Sequence, residues 1–164
     1  MKEASIEYKK EDIELRFERG KSVKTPAGFR ITPELLRLMG YFISEGSLNK
    51  AYRNNTISLY SKNKEILRDM KECIKKVTGK VPRQRVTRGF GSSVELSFSH
   101  KTLFEILRRT CGNQSSNKRI PKFAFGLSIE RIGGLLSGLY SGDGYLGEKY
   151  FGYYTISKRL AEGV

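Results

Sequence analysis

The sequence predicts an α+β fold: a helix–strand–strand–helix–strand–strand–helix unit, followed by the start of a second copy. Three observations point there. Two apolar stretches, LMGYFISEG (38–46) and LSGLYSGDG (136–144), lie 98 residues apart, and each ends on an acid followed by a glycine. Each leads into a short segment suited to a β-hairpin. Ser61-Lys62 after the first hairpin recurs as Ser157-Lys158 after the second, at an offset of 96, which marks an internal repeat.

Residues 1–30 are highly charged and read as an N-terminal arm or leading hairpin, with Ile13, Leu15 and Phe17 alternating as a strand. Residues 31–127 form the first repeat. Thr32 suits a helix N-cap, Pro33 the first helical position, Glu34 the first turn and Gly46 the stop. Leu35, Leu36, Leu38, Met39, Phe42 and Ile43 give that helix a broad apolar surface. Strands are expected over 47–53 and 55–61, turning at Asn54-Asn55, with Ile57 and Leu59 inward and Thr56, Ser58 and Tyr60 outward. An amphipathic helix over 63–79 follows, ended by Gly79.

Residues 82–88 and 92–99 read as the next hairpin. In its second strand Val94, Leu96 and Phe98 alternate with Ser93, Glu95, Ser97 and Ser99, so one face is apolar and one polar. In the first strand Val86 is expected to look inward, which turns Arg83 and Arg85 outward. A short helix over 101–112 closes the unit. Residues 128–164 begin the second repeat, which stops six residues beyond Lys158. A helix, two strands and the start of a helix are expected there.

Charge limits the partners. Lys and Arg number 31 against 17 Asp and Glu, a net charge of +14 and a pI near 9.9. Such an excess suits a polyanion, because bound Lys and Arg release counterions from a phosphate backbone. No 18-residue apolar run is present and no signal-peptide pattern opens the chain, so no membrane partner and a cytoplasmic location are expected. Cys73 and Cys111 read as reduced core residues. A single histidine, His100, excludes His-rich zinc sites, and neither a CxxC pair nor a phosphate-binding GxxxxGKS/T loop occurs. Carboxylates and lysines are the groups left for chemistry.

Glu45 and Asp143 each fall in the last turn of a helix, where the backbone carbonyls disfavour negative charge. Gly40, Gly134 and Gly138 lower helix propensity and remove bulk, as suits two helices in close approach. Parallel helices packed on these glycines would set Glu45 beside Asp143 at one end. Paired carboxylates there suit a hard divalent cation, and in a basic protein metal-assisted phosphodiester hydrolysis. The competing reading is two exposed acids before glycine stops, and periodicity leaves both open.

Both nine-residue stretches resemble the LAGLIDADG signature of the dodecapeptide (DOD-type) homing endonucleases. The acid in the eighth place is Glu45 or Asp143, and the signature glycines are Gly40 and Gly46, then Gly138 and Gly144. RGKSVKTPAGFRITPELLRLMGYFISEG (19–46) and KRIPKFAF (118–125) are especially similar to endonuclease domains carried within archaeal inteins. The resemblance implies the LAGLIDADG homing-endonuclease fold: αββαββα repeats packed on their signature helices, with sheets forming a saddle in the DNA major groove. It implies a site-specific double-stranded DNA endonuclease using Mg²⁺ or Mn²⁺, with Glu45 and Asp143 as metal ligands and catalytic acids. Lys118 resembles a lysine that assists catalysis, against the alternatives of a phosphate contact or a solvated loop residue. Arg83 and Arg85 are the leading DNA-binding candidates, followed by Asn49, Arg53, Ser58 and Tyr60. A truncated second repeat keeps two alternatives in play, a DNA-binding remnant that does not cut and an RNA-splicing maturase. It also suggests a homodimer or a complementing chain.

Overall fold

The computed structural model describes residues 6–9, 12–16, 28–51, 55–87 and 92–164. Ahead of the first helix, β1 (Ile6–Lys9), β2 (Asp12–Arg16) and β3 (Gly28–Arg30) form an antiparallel sheet in that order. Phe17, expected in the strand that begins at Ile13, lies outside the described residues.

The first helix, α1 (Pro33–Glu45), starts where Thr32 accepts a hydrogen bond from the Leu35 N–H at 3.2 Å, and it ends where the Gly46 N–H bonds the Phe42 carbonyl. Strands β4 (Gly46–Lys50) and β5 (Asn55–Ser61) pair from Gly46–Leu59 to Lys50–Asn55. The second strand runs from Asn55 to Ser61 as expected, and the first is described over Gly46–Lys50. Arg53 and Asn54 lie outside the described residues. Helix α2 (Lys64–Thr78) is capped by Asn63, which accepts from the N–H groups of Glu65 and Ile66, and it stops at Gly79 with φ of 69°. That left-handed conformation favours glycine.

Strands β6 (Arg83–Thr87) and β7 (Ser93–Ser99) complete an antiparallel sheet of order β4-β5-β7-β6. Leu48, Ile57, Leu59, Leu96 and Phe98 are buried on its inner face. Each such side chain contributes about 1.5–3 kcal/mol of burial. Helix α3 (Lys101–Thr110) opens with the His100 ring nitrogen accepting from the Leu103 N–H at 3.3 Å, so the lone histidine serves as a helix cap. Cys73 and Cys111 are buried free thiols. Val86 departs from expectation. Its pairing with Val94 puts it on the core side of the sheet, yet it is 63% exposed. Strand β6 is the sheet edge, and α2 reaches it with Lys71, which donates to Gln84 at 2.6 Å, instead of with apolar cover.

Short 3₁₀ turns at Ser115–Asn117 and Lys122–Gly126 lead into α4 (Ile129–Asp143), β8 (Gly144–Leu146), β9 (Phe151–Tyr153) and α5 (Lys158–Ala161). The two hairpins differ in register. Gly46 pairs with Leu59 thirteen residues on, whereas Gly144 pairs with Tyr153 only nine residues on. Tyr153 thus takes the register position that Leu59 fills in the first unit.

Helices α1 and α4 lie against each other in parallel, because the contacts advance together along both. A Cβ on Gly134 would face the Pro33 carbonyl oxygen at 3.1 Å, and one on Gly138 would lie 2.2 Å from that of Arg37. A Cβ on Gly40 would lie 2.2 Å from the Leu135 carbonyl oxygen, and one on Gly142 would meet the Ser44 and Glu45 side chains. The backbones touch at Gly40 and Gly138, where any side chain would collide with the opposite helix.

Candidate metal centre

The parallel packing carries the C-terminal ends of α1 and α4 to one place. Glu45 and Asp143 are the last residues of the two helices, and each is half-buried. Burial pushes the Glu45 carboxyl above its ordinary pKa, and the charge of Asp143 adds to the shift. Burial also raises Asp143, opposed by a hydrogen bond from Tyr153 and by the charge of Lys118. Both acids therefore ionise at a cost, and each sits where the carbonyl dipoles of its own helix add to that cost.

Two groups surround the pair. The Tyr153 hydroxyl donates to Asp143 Oδ2 at 3.3 Å, and its ring packs edge-on against Tyr140 with centroids 5.7 Å apart. Lys118 is 3% exposed and so is not a solvated loop residue. Its ammonium donates to the carbonyls of Phe42 at 2.5 Å and Gly46 at 2.9 Å, and lies 3.4 Å from the centre of the Phe42 ring. It thereby satisfies the last turn of α1 with positive charge. Burial lowers its pKa to about 8. The Lys118 backbone is fixed in turn, its carbonyl accepting from the buried Ser157 hydroxyl at 2.6 Å. Asp143, Lys118 and Tyr153 line a cleft of about 480 Å³, together with Ser44, Gly46 and Ser115.

Two carboxylates fit a small hard cation. Magnesium keeps several waters and takes one or two carboxylates together with substrate phosphates, so a full protein cage is not required. Among the described residues no group of three or more His, Cys, Asp or Glu gathers at one point. The paired carboxylate oxygens of Glu45 and Asp143 suit an oxygen-bound divalent ion.

The energetic cost of the pair has a testable sign. A carboxyl whose folded pKa is raised favours the folded state while protonated, and that contribution is lost as pH rises through the folded pKa. Glu45→Gln is therefore expected to melt higher than the wild type near pH 7, with the difference vanishing below about pH 4. Thermal melts across that range, without divalent ions, check it.

The other expected DNA-binding residues that are described, Asn49, Ser58, Tyr60, Arg83 and Arg85, lie on the outer face of the four-stranded sheet. Pairing places Ser47 and Asn49 of β4, Thr56, Ser58 and Tyr60 of β5, Glu95 and Ser97 of β7, and Arg83 and Arg85 of β6 on that face. Asn49, Arg83 and Arg85 are exposed, and Tyr60 is half-buried. Ser58 is on the outer face but only 5% exposed, because its hydroxyl donates to Glu95 at 2.8 Å and the neighbouring side chains cover it. Tyr153 and Glu95 join these residues without being expected from the sequence. Glu95 carried a signal, as the one acid on the polar face of the second hairpin.

Residues 32–112 match the LAGLIDADG-like domain family. The chain carries a LAGLIDADG-like domain. The matched segment runs from the Thr32 cap through the end of α3, and so holds Glu45 and the whole four-stranded sheet. A DNA polymerase of Thermococcus hydrothermalis is 29% identical over 134 residues, covering 74% of this chain and 8% of that protein. A glutamine–fructose-6-phosphate aminotransferase (isomerizing) of Methanocaldococcus jannaschii is 28% identical over 126 residues, covering 75% of this chain and 11% of that protein. The chain thus spans about a tenth of the length of these curated relatives. Among solved structures, the homing endonuclease I-DmoI in complex with DNA and Ca matches with a TM-score of 0.49 and 16% identity, over 70% of this chain and 59% of that one.

Proposed function

We propose that this chain is a metal-dependent, site-specific double-stranded DNA endonuclease of the homing type. The observation that carries the reading is the convergence of Glu45 and Asp143 at adjacent ends of two glycine-packed helices. A divalent ion held by these carboxylates would polarise a phosphodiester and lower the pKa of a bound water. Glu45 and Asp143 supply the anionic oxygens. Tyr153 orients the Asp143 carboxylate through Oδ2, leaving its other oxygen for a ligand. Lys118 offsets the α1 carbonyls next to Glu45 and keeps positive charge beside the pair near neutral pH.

The polar sheet face and the net charge of +14 supply the DNA partner in this reading. The relatives support an intein-type origin. A polymerase and an aminotransferase perform unrelated chemistry, and a shared segment covering about a tenth of each is the pattern of an inserted module. Supercoiled plasmid carrying a library of randomised inserts tests the proposal. Nicking or linearisation that requires Mg²⁺ or Mn²⁺ is the expected result, and a plasmid retarded but uncut at every metal concentration would contradict it.

Tyr153→Phe removes one hydroxyl and preserves the ring packing. It is expected to weaken Mn²⁺ binding by roughly 10–100-fold, the usual cost of losing a partner that orients a metal ligand. Electron paramagnetic resonance of free Mn²⁺ during titration gives the measurement. Unchanged binding would remove Tyr153 from the site.

A further inference from the structure

Arg83 and Arg85 share one strand and one face, and their spacing alone gives them the same role. Their surroundings differ. Arg85 lies opposite Glu95 on the neighbouring strand, and its guanidinium Nη2 is 3.2 Å from Glu95 Oε2. The other oxygen of that carboxylate accepts from the Ser58 hydroxyl at 2.8 Å and faces the Tyr60 hydroxyl at 3.5 Å. Three adjacent strands thus hold Glu95, whose side chain is only 14% exposed while that of Arg85 is 74% exposed. Arg83 pairs across the sheet with Ser97 and has no ion-pair partner among the described residues.

An acid in the middle of a surface that meets phosphates raises the cost of binding unless it does something else. An arginine fork held by a carboxylate on one edge loses less freedom when its other edge meets a base. An unclamped arginine follows a phosphate equally well on any sequence.

We propose that Glu95 is a specificity-determining positioning residue. It clamps Arg85 as a base reader, with guanine the matching base, and leaves Arg83 as a phosphate contact. The proposal rests on the reading of this chain as a duplex-DNA binder and deepens it, by dividing the arginines of its polar face into two roles.

The test selects bound duplexes from a randomised library with Ca²⁺ present, sequences them, and measures affinity for the selected site against salt. Four proteins are compared with the wild type: Glu95→Gln, Arg85→Lys, Arg83→Ala and the double variant Glu95→Gln/Arg85→Lys. The wild type is expected to show a guanine position preferred by roughly ten- to a hundredfold. Glu95→Gln and Arg85→Lys should each flatten that position, and the double variant should flatten it no further. Arg85→Lys keeps the charge and the ion pair but loses the bidentate fork, so it holds the test if Glu95→Gln fails to fold. Arg83→Ala should keep the preference while the slope of log affinity against log salt becomes shallower by about 1. A guanine preference that survives Glu95→Gln or Arg85→Lys, or one lost in Arg83→Ala, would overturn the proposal. A wild type with no salt-dependent duplex affinity would overturn the DNA-binding reading itself, a different and separately visible failure.

Discussion

Glu45→Gln and Asp143→Asn are each expected to lower Mg²⁺-dependent plasmid cleavage by about three orders of magnitude or more, beyond the 10–100-fold typical of residues that only orient a ligand. Both changes keep the shape, remove the charge and replace one acceptor oxygen with a donating amide group. The pair sits at the ends of α1 and α4, so one remaining carboxylate leaves half of the anionic donor set. The double variant should be no worse than either single one, because residues acting as a unit are strongly non-additive. Stability should move the other way. The raised pKa of each carboxyl means that the ionised pair weakens the fold near neutral pH, so these inactive variants should melt higher than the wild type. Gain of stability with loss of activity separates a functional acid from a surface acid, whose removal leaves stability nearly unchanged.

The second large effect concerns the helix contact. Gly40→Val and Gly138→Val each place side-chain atoms where a Cβ alone lies 2.2 Å from a carbonyl oxygen of the opposite helix. The obstacle is backbone, not the end of a flexible side chain, so the helices must part. Overpacking ordinarily costs about 1–3 kcal/mol, and rigid backbone on both sides puts these variants at or above the upper end. About 3 kcal/mol corresponds to a fall in Tm of roughly 6–12 °C for a chain of this size. The same change on Gly133 has open space around its Cβ position and serves as the control for helix propensity and β-branching. Calorimetry or circular dichroism melts of the three variants decide it. Equal melting of all three would mean that the glycines do not hold the helices together.

Much of this architecture can be read in the chain because local rules agree with the fold. Thr32, Pro33 and Gly46 bracket α1 by capping chemistry, and Asn63 with Gly79 brackets α2. Val94, Leu96 and Phe98 declare the inner face of β7 by alternation. The acids stand out because they violate the dipole preference twice at one spacing.

What stayed hidden depends on partners far along the chain. Lys118 has the local look of a loop lysine, and its burial follows from carbonyls 76 and 72 residues away. Alternation assigns Ser58 to the outer face correctly but does not show that Glu95, 37 residues on, covers it. Val86 obeys the period of its strand and still meets solvent, because an edge position is a property of the sheet and not of the strand. Tyr153 reaches Asp143 only because the second hairpin is tighter in register than the first, which no single-strand pattern displays.

The claim on which the functional account stands is that Glu45 and Asp143 form one metal site. Mn²⁺ binding measured by titration on the wild type, both single variants and the double variant, with duplex DNA present, tests it most directly. Either single change is expected to remove nearly all of the binding, and the double change to add almost nothing. Two independent halves, each lost with its own acid, would contradict it, as would Mn²⁺ binding that neither change affects.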